Sequence, residues 1–146
     1  MATWADFERA DRTIATFGRE RVDQHVCFLA TVRADGSPRV HPVTHWVAVG
    51  RLFVRMYPTS PKAGDLQRDP RYALHSMMDN DDGEGGEVAV RGRATTFTDP
   101  RLLTEAFDVI GGTGTDEPLI VFELDIDEVN TTTYEKGESI RGRWRA

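Results

Sequence analysis

Two spacings of apolar residues account for most of the chain. Phe7, Ala10, Ile14 and Phe17 recur at helical intervals. Thr3 or Asp6 can cap that run and Gly18 can end it, which predicts a helix over residues 3–17 with Trp4 at its edge. Residues 24–33 form a strand that is mostly apolar from Val26 to Val32, the pattern of a strand covered on both faces. Strands are also predicted over 39–49 and 51–57. The turn between the first two holds Asp35-Gly36, a hairpin signal, and Gly50 joins the second pair. A short helix over 60–67 is stopped by Asp69-Pro70, because the residue before a proline resists helical geometry.

The second half continues in the same manner. Strands over 72–77 and 87–97 flank an acidic, glycine-rich loop, DNDDGEGG, at residues 79–86. The longer of these strands is interrupted at Gly92, and Arg91 and Arg93 share its wetter face. Asp99 caps and Pro100 opens a helix running through Leu102, Leu103, Ala106 and Phe107 to Ile110. A buried strand over 119–126 leads to a turn at 127–130. A last hairpin follows, with strands over 131–134 and 139–144 and Lys136-Gly137 in its turn. Two or three helices and seven or eight strands, without βαβ alternation, predict a mainly β fold: an antiparallel barrel with short helices between strands.

Composition narrows the picture. At 146 residues the chain is expected to be a single domain, 1–146, large enough for a proper core. A net charge of -6 argues against a nucleic-acid partner. Cys27 is the single cysteine and sits in an apolar run, as a buried, inert thiol would. With no signal peptide and no apolar run long enough to span a membrane, the expectation is a cytoplasmic protein with no membrane partner.

The most specific candidate chemistry is the turn Pro58-Thr59-Ser60-Pro61-Lys62. Thr59 or Ser60 can cap the helix, and Pro61 suits its first position, where a missing N–H costs nothing. Backbone donors, a hydroxyl and an ammonium then meet at a helix N-terminus, a ready site for a phosphate; a plain cap with a solvated lysine is the alternative. Pro42 inside a strand marks an edge, a bulge, or a place where a ligand replaces a neighbouring strand. His41 and His45 share a strand face but stand about 13 Å apart, at roughly 3.3 Å per residue, too far for one zinc ion. His25 and His75 show no partner in sequence, and no metal is expected. Asp79, Asp81 and Glu84 mimic part of a calcium loop but lack its twelve-residue pattern, so a solvated, mobile hairpin loop is expected. The glycines of residues 111–115 follow a helix instead of linking a strand to one, and no Walker lysine accompanies them; a flexible lid or contact loop is expected.

The ordered set of a strand, DGSPR, a strand, Gly50, a strand, and Ser-x-Lys opening a helix that ends in RDPR resembles the pyridoxamine-phosphate-oxidase-like flavin-binding split barrels, a group that includes flavin and deazaflavin oxidoreductases. The similarity runs from Asp6 to Arg145 and is strongest from Leu29 to Leu74. It implies a split β-barrel forming a homodimer, with FMN, or alternatively a deazaflavin, bound at the subunit interface and a small-molecule substrate. Arg39, Val40, His41, Pro42 and Val43 match the strand segment along the flavin. Arg55 and Met56 match positions near the ring or ribityl chain, and Ser60 and Lys62 match the phosphate-contacting turn. Glu87 matches an amide near the cofactor, and Trp144 and Arg145 match C-terminal contacts. A deazaflavin's longer anionic tail would favour a groove supplied by Arg39, Arg55, Arg91 and Arg93.

The departures have consequences. Pro61 stands where the oxidases carry an arginine, Glu87 is a carboxylate, and the oxidases' C-terminal substrate motif is absent, so vitamin B6 oxidation is not implied. No catalytic residue is assigned, although His41, His45 and Tyr57 are possible proton donors. The second class of function is non-catalytic: a flavin or haem carrier, or a dimeric scaffold.

Overall fold

The computed structural model describes residues 1–24 and 26–146, so His25 lies outside the described residues. Strand β1 (Cys27–Val32) and β2 (Pro38–Ala48) form an antiparallel hairpin, and β3 (Arg51–Met56) turns back on β2. The β2–β3 turn places Val49 and Gly50 at φ 46° and 72°, the two positive values of the tight turn that suits twisted strands. β4 (Arg71–His75) pairs with the other side of β1, β5 (Glu87–Thr96) with β4, and β6 (Ile120–Glu135) with β5. β6 also pairs with β3, which closes a six-stranded antiparallel barrel, and β7 (Glu138–Arg145) extends β6 outside the closure.

Among the described residues four helices decorate the barrel: α1 (Trp4–Ala10), α2 (Arg12–Gln24), α3 (Pro61–Arg68) and α4 (Pro100–Val109). The continuous helix expected over residues 3–17 is in fact two. Thr3 and Asp6 form a capping box at the start of α1. Asp11 then leaves helical geometry at φ -145°, and its Oδ1 accepts from the Ile14 amide to begin a new helix. Gly18 lies buried inside α2 instead of ending it, and Gln24, expected in the first strand, is the last residue of α2.

The turn expected at 127–130 is also absent, because β6 runs unbroken through it. Across from β6, Arg91 pairs with Glu128 and Gly92 with Ile126, so Asp127 is the extra residue of a bulge. Gly92 permits that bulge: a Cβ there would stand 2.0 Å from the Asp125 carbonyl oxygen. Such bulges bend a strand without ending it. The 79–86 loop is wound on itself. Its Asp79 amide donates to the Glu84 carbonyl, the Asn80 carboxamide oxygen accepts from the amides of Asp82 and Glu84, and buried Arg21 bonds to Met77 O and Asp79.

The barrel interior is filled by Leu29, Leu52, Val54, Leu74, Val88, Val90, Phe122 and Leu124, with Trp4 and Phe7 of α1 packed on it. A second cluster, Trp46, Phe53, Ala106 and Val121, lies under α4, where Trp46 Nε1 donates to Ala106 O at 2.9 Å. Cys27 belongs to the first core, and burial pushes its thiol up to about 12 against a smaller opposing pull from Arg21. A colorimetric thiol reagent at about pH 8 will therefore leave the folded protein unmodified and titrate Cys27 fully once guanidinium unfolds it.

One expectation for β1 fails in an informative way. Its apolar run reads as covered on both faces, yet burial alternates, and Phe28 is 37% exposed. On the same outer face Val40 is 65% exposed, with Pro38 and Pro42 beside it on β2 and Ala73 on β4.

Candidate functional site

The barrel is split along β2. Residues 44–48 pair with β3, whereas 38–43 pair only with β1, so among the described residues one edge of that segment has no neighbouring strand. β3 ends at Met56, and the chain then passes through residues 57–60 into α3. Pro42 falls in the singly paired segment, the part of a sheet where a strand proline is tolerated.

Ser60 occupies the N-cap position of α3 and Pro61 the first helical position, as expected, but the Ser60 hydroxyl makes no capping bond. It accepts instead from Lys62 Nζ at 3.2 Å. Lys62 is 9% exposed, and among the described residues it has no carboxylate within ion-pair distance. Burial, and then the nearby Arg39 guanidinium, lower its pKa. Lys62 is thus packed among buried residues instead of extending freely into solvent, as the plain-cap alternative had it.

Arg39 is held by Asp65, a residue not singled out from sequence. Arg39 Nε donates to Asp65 Oδ2 at 2.7 Å, Thr31 Oγ1 donates to the same oxygen at 2.8 Å, and Arg68 Nη2 reaches Oδ1 at 3.1 Å. Burial alone would raise the Asp65 pKa, but these donors outweigh it and the net shift is downward. Arg39 and Arg68 thus share one carboxylate, and Lys62 stands near Arg39 with none of its own among the described residues, leaving two positive charges in excess. The cue for Asp65 was present in sequence as its i,i+3 spacing to Arg68; its contacts to Thr31 and Arg39 depend on the fold.

The remaining candidates spread outward. Val43 is half-buried against the core, and Val40 and His41 are exposed, with His41 Nδ1 2.8 Å from Pro42 O. Arg55 pairs with Thr44 across β2 and β3 and donates to the Thr113 carbonyl in the glycine loop; Met56 beside it is buried. His45 is committed to structure, with Nε2 2.7 Å from Val22 O.

The structure does not gather Glu87, Trp144 or Arg145 at this turn. Glu87 faces Thr132 in the β5–β6 ladder, with its carboxylate 4.0 Å from His75 Nε2. Trp144 packs on Phe7 with ring centres 4.9 Å apart, and Arg145 Nε donates to Glu128 at 2.6 Å. Nor do the four arginines of the imagined groove converge. Arg91 and Arg93 line a different cavity, on the outer face of β4 and β5.

The family described as pyridoxamine 5'-phosphate oxidase matches residues 13–133. No curated protein matches the chain. Among solved structures, a haem-binding protein of Mycobacterium smegmatis superposes with a TM-score of 0.68 at 17% identity, over 88% of this chain and 57% of its own. The chain thus spans little more than half of that protein's length. An F420 reductase gives 0.55 at 20% identity, over 72% and 88% of the two chains. A NimC/NimA family protein of Clostridium acetobutylicum gives 0.62 at 18%, over 94% and 91%. At these identities the likeness is one of fold.

Proposed function

Because the chain belongs to the pyridoxamine 5'-phosphate oxidase family, we propose that it is a flavin-dependent oxidoreductase that holds the phosphate of FMN at Ser60 and Lys62. The observation that carries this reading is Lys62 itself. A buried ammonium whose partner is a neutral hydroxyl, next to a second cation, is poorly compensated. A phosphate is the natural complement, since it gains charge-assisted bonds from Lys62 and from the uncapped helix end. Two excess positive charges suit a dianionic monoester such as FMN better than the singly charged diester of a deazaflavin, the alternative cofactor.

The bound flavin would supply hydride or two-electron transfer. The chain supplies the grip on the phosphate and, along residues 38–43, an unpaired strand edge whose backbone groups can pair with a flat polar ring. Arg55 and Met56 flank the far end of that edge. No residue is assigned a proton transfer.

A homodimer belongs to the same reading. The apolar run of β1 has the composition of a doubly covered strand, and its outer face, with Val40 and Pro42 of β2, is bare in one copy. A second copy seated there would cover Phe28 and Val40 and wall off the split edge. Glu87, Trp144 and Arg145 enter the cofactor site only through that second copy. Light scattering on a Val40→Asp variant will report a monomer where the parent protein is a dimer.

The test of function is a fluorescence titration of ligand-free protein with FMN, riboflavin, a deazaflavin and haem. FMN is expected to bind much more tightly than riboflavin, and Lys62→Ala to erase the difference. Equal binding of FMN and riboflavin would overturn the phosphate assignment. Tight binding without reduction by any nicotinamide or deazaflavin donor would make the protein a carrier, and binding of none of the four would leave a scaffold.

A further inference from the structure

We propose that the cleft lined by Arg71, Arg91, Arg93 and Arg145 on the outer face of β4 and β5 is a second anion site, for a small molecule bearing two or more phosphate or carboxylate groups. The cleft measures about 600 Å³, within the range of small-molecule sites. Its organiser is Glu128, which is 6% exposed. That one carboxylate takes Arg143 and Arg145 at 2.6 Å each, Arg91 at 3.1 Å and the Asn130 amide at 2.7 Å. A structural tie between β5, β6 and β7 needs one arginine. Three on one carboxylate leave two guanidinium charges uncompensated and fix them in place, with their outer faces half-exposed or more.

The surroundings do not cancel the surplus. Arg71 is occupied by Asp69 at 2.6 Å, and Arg93 makes no ion pair among the described residues. With Arg143 counted, five arginines stand against Asp69, Asp125, Asp127 and Glu128, which leaves one guanidinium in excess among these side chains on a chain that carries -6 as a whole. Guanidinium forks held in a rigid array match phosphate and carboxylate oxygens in pairs. The proposal does not depend on Ser60 and Lys62 of the α3 site; Arg145 alone is shared with the cofactor reading, through the second copy.

The experiment is calorimetric titration of the Lys62→Ala protein, in which the α3 site is disabled, with inorganic pyrophosphate and with citrate at constant ionic strength. One site per chain is expected for at least one of the two, with affinity falling tenfold or more in an added Arg91→Gln/Arg93→Gln pair. Those two side chains are exposed, and an unchanged melting temperature will show that the fold survives. Binding of neither anion, or binding unchanged in the arginine variant, would overturn the second site. Neither result would bear on FMN binding at Lys62.

Discussion

Lys62→Met will leave the ligand-free protein as stable as the parent or more so, while weakening FMN roughly ten- to a hundredfold. The two halves of this expectation have one cause. Lys62 is 9% exposed and among the described residues has only the Ser60 hydroxyl, at 3.2 Å, as a partner, so without ligand the protein carries a charge that burial and Arg39 both oppose. Methionine keeps the length and apolar stem and removes the charge, which relieves the folded state. In the complex the same charge meets a phosphate. A hydrogen bond to a charged group contributes about 1.5–3 kcal/mol, and each 1.4 kcal/mol is tenfold in affinity. Stability gained where binding is lost is the signature of a functional residue; a lysine kept for structure would show the reverse. Thermal melts without ligand and FMN titrations of both proteins supply the two readouts. The pH dependence follows from the same shift. Lys62 loses its proton at a lower pH than an ordinary lysine, so FMN affinity will begin to fall on the alkaline side before a solvated lysine would titrate. Binding in turn stabilises the protonated form.

What could be read from sequence divides along physical lines. Local signals that need only a few neighbouring residues held: the Thr3 and Asp99 caps, the Pro61 and Pro100 helix starts, the Asp69-Pro70 stop and the Gly92 break all occupy the places assigned to them. The errors arose where one residue had two uses. Asp11 fell inside the single helix expected over 3–17 but caps a second helix. Asp127 looked like a turn and is a bulge, because the β5–β6 ladder resumes beyond it. At the site, Ser60 and Lys62 could be singled out because their chemistry is local. The contact of Asp65 with Arg39 could not, since Asp65 lies in α3 and Thr31 and Arg39 reach it from two strands. Apolar character in β1 signalled two covers while one chain provides only one; the proposed second copy would supply the other.

Asp65→Asn will cost about 3 kcal/mol of stability and weaken FMN as well, by a different route from Lys62→Met. The Asp65 carboxylate is 5% exposed and is the shared acceptor of Thr31, Arg39 and Arg68. Removing one partner of a buried pair strands the other, which typically costs about 3–5 kcal/mol; the partial exposure of Arg39 and Arg68 places this case at the lower end. Asparagine preserves shape but sets an amide N–H against guanidinium donors, so the loss reports the charge and not a cavity. Arg39, released from Asp65, would no longer stand fixed beside Lys62, and binding would fall together with stability. The pH dependence separates this from a packing defect. Although burial pulls the other way, the donors hold the Asp65 pKa below the usual carboxylate value of about 3.9. The carboxylate therefore contributes its stability fully above that value and loses it as pH falls through the lower folded pKa. Urea melts of parent and variant will differ by the full amount near neutral pH and converge in acid. A gap that persists unchanged as acid strips the carboxylate of its charge would show that Asp65 acts through shape and not through its grip on Arg39.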